Sequence, residues 1–240
     1  MDGRIVALGI RGLKFRYAPS GSWVVNVPAL DLQCGEQMLL TGGSGRGKST
    51  LLDLIAGLIE PVEGRIFVGG ADMYALREPR RDLHRARTIG VILQTFNLLR
   101  GLSAIENVMT PMMFSTIPRS AHRPRAEQLL YRLGIDRPNA DPDEMNIAQQ
   151  QRVAVARALA CDPVLVLADE PTARLDSPNA AEAMNLLQTI CREKNAALLC
   201  VTHDPHDPHD PHDRTMRDQF EAVASLDDLA GVAIDAEEGL

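Results

Sequence analysis

The sequence predicts an α/β fold with a mostly parallel core sheet, an N-terminal antiparallel β subdomain and an inserted helical subdomain. Three observations carry this. The stretch Gly42-Gly43-Ser44-Gly45-Arg46-Gly47-Lys48-Ser49 fits G-x-x-x-x-G-K-[ST] and lies between an apolar run, Glu36–Thr41, and a helical one, Thr50–Ala56. That is the strand–loop–helix setting of a phosphate-binding loop. A second apolar run, Val164–Ala168, ends in Asp169-Glu170. Between them, from Thr95 to Ala160, helical segments replace the strand pattern.

Short strands are predicted first: Ile5–Leu8, Leu13–Tyr17, Trp23–Val27, Leu30–Gln33 and Glu36–Thr41, with turns at Gly21, Pro28 and Gly35. Tyr17 ends the second of these, either as a strand aromatic or as a platform for a base. The glycines of the loop admit backbone to a phosphate that a Cβ would hold off. Their N–H groups, with the positive end of the next helix, make an anion cradle. Lys48 is expected to reach β- and γ-phosphates, and the Ser49 hydroxyl to sit on Mg²⁺, as in a P-loop NTPase. The motif by itself names neither the nucleotide nor the process it drives.

The loop helix is expected to end near Gly57, followed by a turn at Pro61–Gly64 and a hairpin strand at Arg65–Val68. Arg80–Arg87 is basic and reads as a solvated helix face. Thr88–Leu93 reads as a buried strand that delivers Gln94. Helices are predicted at Ala104–Met113, Pro124–Leu133 and Ala148–Ala160. Phe96, Leu98 and Leu99, at the junction, are either packing or an apolar groove for a partner. Asp169 is placed to hold Mg²⁺ and Glu170 to polarise an attacking water. A helix from Asn179 to Glu193 and a strand at Ala197–Thr202 bring the chain to His203.

Bulk properties bound the function. At 240 residues the chain has ample length for a core, and its 45% hydrophobic and 24% charged residues are ordinary for a globular protein. A net charge of −7 argues against a nucleic-acid partner, which calls for a basic stripe. The longest apolar run, Ala196–Val201, is far short of the roughly 18 residues of a membrane span. Met1-Asp2-Gly3-Arg4 does not resemble a signal peptide, so a cytoplasmic location is expected. Cys34, Cys161, Cys191 and Cys200 lack metal-type spacing and are expected as reduced thiols.

Taken together, these residues resemble the ATP-binding subunit of ABC transporters, from about Leu8 to Asp218. The resemblance makes Tyr17 the base-stacking aromatic, Gly42–Ser49 the Walker A loop, which binds nucleotide together with Thr50, and Gln94 the Q-loop residue. It makes Leu165–Glu170 the Walker B strand, Asp176 the D-loop residue and His203 the switch histidine. Glu170, His203 and Gln94 are then catalytic, while Ser49, Gln94 and Asp169 hold Mg²⁺. Gln94–Leu99, Ser103–Val108 and Leu167–Thr172 look like the branch of lipoprotein-release, macrolide-export and cell-division ATPases. One ATPase domain is expected: a nucleotide-binding core at 1–94 and 161–218, a helical subdomain at 95–160 and a C-terminal tail at 219–240 that reads as a solvated helix and end. The resemblance also implies ATP and Mg²⁺ as cofactors, an integral membrane permease as partner, and a second ATPase subunit. The chain would sit on the inner face of the membrane through that permease.

Two departures stand out. Where the family has Leu-Ser-Gly-Gly-Gln, with register fixed by Pro142 and Gln151–Leu159, this chain has Met145-Asn146-Ile147-Ala148-Gln149. Family members grip the γ-phosphate of the opposite subunit here. Asn146 retains a cap, but Ile147 and Ala148 put side chains where backbone should approach. After His203, the triplet His-Asp-Pro repeats through Asp213. Proline at every third position favours polyproline II, with successive histidines about 9 Å apart, which suits weak, shared metal contacts better than a compact three-His site; the other reading is a duplicated extended linker.

The functional expectation is an ATPase subunit coupled to a permease. The altered signature favours an alternative, a nucleotide-binding regulatory subunit with little turnover; Glu170 and His203 oppose it. A DNA-repair or translation ATPase is disfavoured because the chain lacks coiled coils and tandem units. A slow homodimer is expected ahead of a heterodimer.

Overall fold

The computed structural model describes residues 6–202 and 217–231. Two sheets dominate. Strands β1 (Val6–Phe15), β2 (Val25–Gln33), β4 (Glu63–Val68) and β5 (Ala71–Asp72) form an antiparallel sheet in the order β2-β1-β4-β5. Strands β3 (Gln37–Thr41), β6 (Ile89–Ile92), β7 (Leu165–Asp169), β8 (Ala197–Val201) and β9 (Ala222–Ser225) form a parallel sheet in the order β6-β7-β8-β3-β9.

The N-terminal strands are longer than their sequence pattern implies. The four short runs between Ile5 and Gln33 are two long strands, paired from Val6↔Gln33 to Phe15↔Val25. Pro28, read locally as a turn, lies within β2; the register of β1 shifts between Val6 and Leu8 against β2 and between Arg11 and Lys14 against β4. Pairing on both sides of β1, to β2 and β4, overrides local turn chemistry.

The central parallel strands β7 and β8 are buried on both faces, which is why they read as unbroken apolar runs. Their alternation is still strict. Val166, Ala168, Leu198 and Cys200 pack into a core shared with the helices. Leu165, Leu167, Leu199 and Val201 pack into a second core, shared with the antiparallel sheet and with helix α1 (Lys48–Ile55). The helical side comprises α3 (Ala104–Met109), a 3₁₀ turn at Thr110–Phe114, α4 (Arg119–Arg132), α5 (Ile147–Leu159) and α6 (Ser177–Glu193). α4 begins five residues before the predicted Pro124 and carries that proline in its second turn.

Two expectations need correction. The expected tail is not solvated throughout: β9 is an edge strand of the core sheet, paired to β3 from Met38↔Ala222 to Thr41↔Ser225. Phe220 and Leu226 are buried, and α7 (Leu226–Gly231) follows. The period-2 signal in Ala222–Ser225 is too short to see without its partner strand. Nor is helix α2 (Glu78–Thr88) a purely solvated basic face. Arg81 is buried, pairs with Glu60 at 3.0 Å and lies over the Tyr74 ring.

Candidate nucleotide site

The site forms at the C-terminal ends of β3, β6 and β7, where an open α/β sheet binds its ligands. β3 feeds the phosphate loop, which turns into α1. Gly47 caps α1 with φ 91°, and a Cβ there would stand 2.4 Å from the Val24 carbonyl oxygen. Glycine is required at that position on both counts. The first turn of α1 has no side-chain cap, so its leading N–H groups are left for an anion. Lys48 is buried and folds back to donate to the carbonyls of Gly42 (2.7 Å) and Gly43 (3.0 Å). An ammonium so placed lies inside the loop and can exchange those carbonyls for phosphate oxygens.

One cavity of about 460 Å³ brings together Tyr17, Ser44 to Thr50, Gln94 and Glu170, with Val24 added; Gly42, Gly43 and Asp169 are not in its lining. Gln94 leaves β6 and Glu170 leaves β7, adjacent strands in register from Ile89↔Leu165 to Ile92↔Ala168. The Gln94 Nε2 donates to Glu170 Oε2 at 2.6 Å. Glu170 is buried and has φ 45°, a left-handed conformation uncommon outside glycine, held by its N–H to the Val201 carbonyl at 3.0 Å. Such strain clusters where a side chain must be aimed. Asp169 closes β7 opposite Val201.

Tyr17 is 70% exposed, and its hydroxyl pairs with Thr50 Oγ1 at 2.9 Å. Phe15 meets its ring edge-on, with centroids 5.0 Å apart. The ring is thereby fixed at one rim of the cavity with a face available for stacking.

Other predicted residues lie apart. Asn146 caps α5 through a reciprocal box: Gln149 N–H donates to Asn146 Oδ1 at 2.9 Å, and Asn146 N–H donates to Gln149 Oε1 at 3.2 Å. Ile147, 41% exposed, and Ala148 stand in the first turn beyond it. None of the four lines the cavity. Asp176 caps α6, accepting from the N–H and the side-chain amide of Asn179. His203 and the His-Asp-Pro repeat lie outside the described residues. Phe96 is core, 1% exposed, whereas Leu99 is 44% exposed.

The sequence did not single out Asp53. Burial and, behind it, the charge of Asp169 push its carboxyl pKa up. Its place on α1, one turn past the lysine, was the available signal. Buried Asn107 was likewise missed as a structural residue. Its side chain bonds the Leu99 N–H at 2.7 Å and the carbonyls of Leu99, Leu102 and Ser103, folding the loop before α3.

Fold and site define a P-loop nucleotide-binding protein whose acidic strand lies one strand removed from the phosphate loop. Within that class, the ABC transporter family profile matches residues 25–173, and the chain belongs to that family. YtrE, an ABC transporter ATP-binding protein of Bacillus subtilis, is 40% identical over 177 residues, covering 73% of this chain and 77% of its own. LolD, the ATP-binding protein of the lipoprotein-releasing system of Chromohalobacter salexigens, is 36% identical over 192 residues, covering 80% and 81%. Uncharacterized ABC transporter ATP-binding proteins of Mycobacterium tuberculosis are 38% identical, and the chain spans 60% of their length. Among solved structures, the dimeric bacterial ABC transporter cassette MJ0796 superposes with a TM-score of 0.77 at 30% identity, covering 91% of this chain and 94% of that one. The same cassette in a post-hydrolysis state bound to ADP and Pi gives 0.72 at 32% identity, covering 82% and 88%. The chain is therefore an ATP-binding ABC ATPase that energises a membrane permease, in the branch that includes LolD. The regulatory alternative is not favoured. No helix among the described residues is long and apolar enough to cross a membrane.

Proposed function

We propose that this chain binds Mg-ATP in the 460 Å³ cavity, with Glu170 polarising the attacking water and Gln94 positioning it. The convergence of Tyr17, the phosphate loop, Gln94 and Glu170 on that one cavity carries the reading. Tyr17 stacks the base, Gly42 to Gly47 cradle phosphates through backbone N–H groups, and Lys48 neutralises the β- and γ-phosphates. Ser49 lines the same cavity and, with Gln94 and Asp169, would hold Mg²⁺. Among the described residues no cluster of three His, Cys, Asp or Glu is built to hold a metal. That fits an ion carried largely by phosphates and water, as Mg²⁺ is. The ion would shield charge on the transferring phosphoryl group. His203 is assigned the γ-phosphate, and Asp176 the contact between subunits.

The partner is an integral permease that holds the chain at the inner membrane face. Two copies of the chain form the ATPase dimer, each offering Asn146 to Gln149 to the ATP of the other. Ile147 and Ala148 crowd that approach, so turnover is slow. The test is Glu170→Gln in the purified transporter complex: turnover falls by at least about 10²-fold while ATP stays bound and the ATPase dimer persists by sedimentation. Wild-type turnover in this variant would remove Glu170 from the role.

A further inference from the structure

The loop that carries Gln94 is held by a side chain from another element. Phe96 and Asn97 stand consecutively in the left-handed region, at φ 60° and 45°. That is uncommon for any residue with a Cβ and a true outlier for a bulky one. A turn of this kind persists only where its surroundings over-determine it. Here they do. Arg157, in the last turn of α5, donates from Nη1 to the Asn97 carbonyl at 2.7 Å and from Nη2 to the Phe96 carbonyl at 2.5 Å. Its guanidinium thus spans two successive peptide oxygens, which suits the fixed fork of arginine and not a lysine. Arg174, four residues past Glu170, lies 5.9 Å from the Phe96 ring centroid, and the ring is buried.

The same helix reaches the other side of the reacting pair. Gln151 of α5 donates to the Pro171 carbonyl at 2.8 Å, next to Glu170. α5 therefore grips the segment just after Gln94 and the segment just after Glu170. Between those two grips lies the 2.6 Å bond from Gln94 to Glu170. α5 also opens at Asn146 and Ile147, the residues assigned above to the opposite subunit's nucleotide.

We propose that Arg157 is a positioning residue for hydrolysis. It locks the Phe96–Asn97 turn so that Gln94 is presented to Glu170 and the nucleotide, and it ties that presentation to the position of α5. This rests on the roles assigned to Gln94 and Glu170 above. When α5 moves toward the partner's nucleotide, the turn and Gln94 move with it; without Arg157, nucleotide binds but the pair is not aligned.

The test is a double-mutant cycle in the full chain with its permease, measuring kcat, KM and, by calorimetry, Mg-ATP affinity. Arg157→Met is expected to lower kcat at least tenfold while the Kd for Mg-ATP stays within threefold. Arg157→Lys keeps the charge but contacts one carbonyl, and is expected to recover part of the loss. Gln94→Ala is expected to lower kcat by itself, with Arg157→Met adding less than twofold on top of it. Unchanged kcat in Arg157→Met, parallel loss of kcat and affinity, or full additivity with Gln94→Ala would each overturn the proposal. If Arg157→Met does not fold by thermal melt, the cycle is run with Arg157→Lys against the same criterion of non-additivity. Failure of the underlying reading registers separately, as wild-type turnover in Glu170→Gln.

Discussion

Single residues show how this chain converts a common motif into a working site. Lys48 is buried against the carbonyls of its own loop, so the loop is already shaped around a cation. Removing it leaves those carbonyls, which repel phosphate, without an offsetting charge. Lys48→Ala is expected to weaken Mg-ATP binding by about tenfold to a hundredfold, the range of a charge-assisted hydrogen bond or two, with the thermal melt still cooperative. Calorimetry checks it, and wild-type affinity would count against the assignment. Asp53 gives a test in pH. Its pKa is raised in the fold, first by burial and then by Asp169. A carboxyl raised above its unfolded value opposes folding once ionised, and that opposition fades as pH falls through the folded pKa. Asp53→Asn should therefore raise the melting temperature at pH 7.5 and raise it less near pH 4. An equal shift at both values would mean the charge is not what matters.

Elements explain which motifs speak plainly. The phosphate loop and β7 are legible because each is a strand, a turn and a demanded residue in sequence order. The start of α5 shows how a motif can lose its consensus and keep its local structure. Asn146 and Gln149 still make the reciprocal cap, since Asn serves as well as Ser at such a position. What changes is the surface of the first turn, where Ile147 is 41% exposed. Asn146→Ser with Ile147→Gly and Ala148→Gly is expected to raise the ATPase rate of the complex several-fold. Each glycine removes a Cβ from the approach of phosphate while weakening the helix by roughly 0.5–1 kcal/mol. No gain in rate, with the melting temperature lowered only by that helix penalty, would show that the altered signature does not limit turnover.

At the scale of the molecule, the parallel sheet is closed at one edge by a strand from the far end of the chain. β9 pairs with β3, the strand that feeds the phosphate loop, while Leu226 packs beneath it. Ending the chain at Asp218 would leave the β3 edge unpaired and strip Phe220 and Leu226 from the two cores. Losing two such buried side chains removes about 3–6 kcal/mol of burial, enough to bring down an ordinary domain. The truncated chain is expected to melt at a markedly lower temperature and to aggregate through its open edge. A melt like that of the full chain would show that 219–240 is dispensable after all.

The sequence by itself determined the two strongest signals, Gly42–Ser49 and Asp169-Glu170, the helical character of 95–160, and the resemblance that pointed to Tyr17 and Gln94. The two motifs and the helical pattern are local, and the resemblance rests on the order of such local motifs along the chain. Only the tertiary structure decided that four apparent N-terminal strands are two, that Ala222–Ser225 completes the core sheet, and that Arg157 holds the loop carrying Gln94. In the last two the partner is distant in the chain, 60 residues away for Arg157 and Asn97 and 183 for the side-chain bond from Thr41 to Ala224, and the first depends also on β4, which pairs with β1 as far as Lys14↔Glu63. Pairing across such distances depends on which surfaces the fold brings together, and a single chain's local pattern carries no record of that.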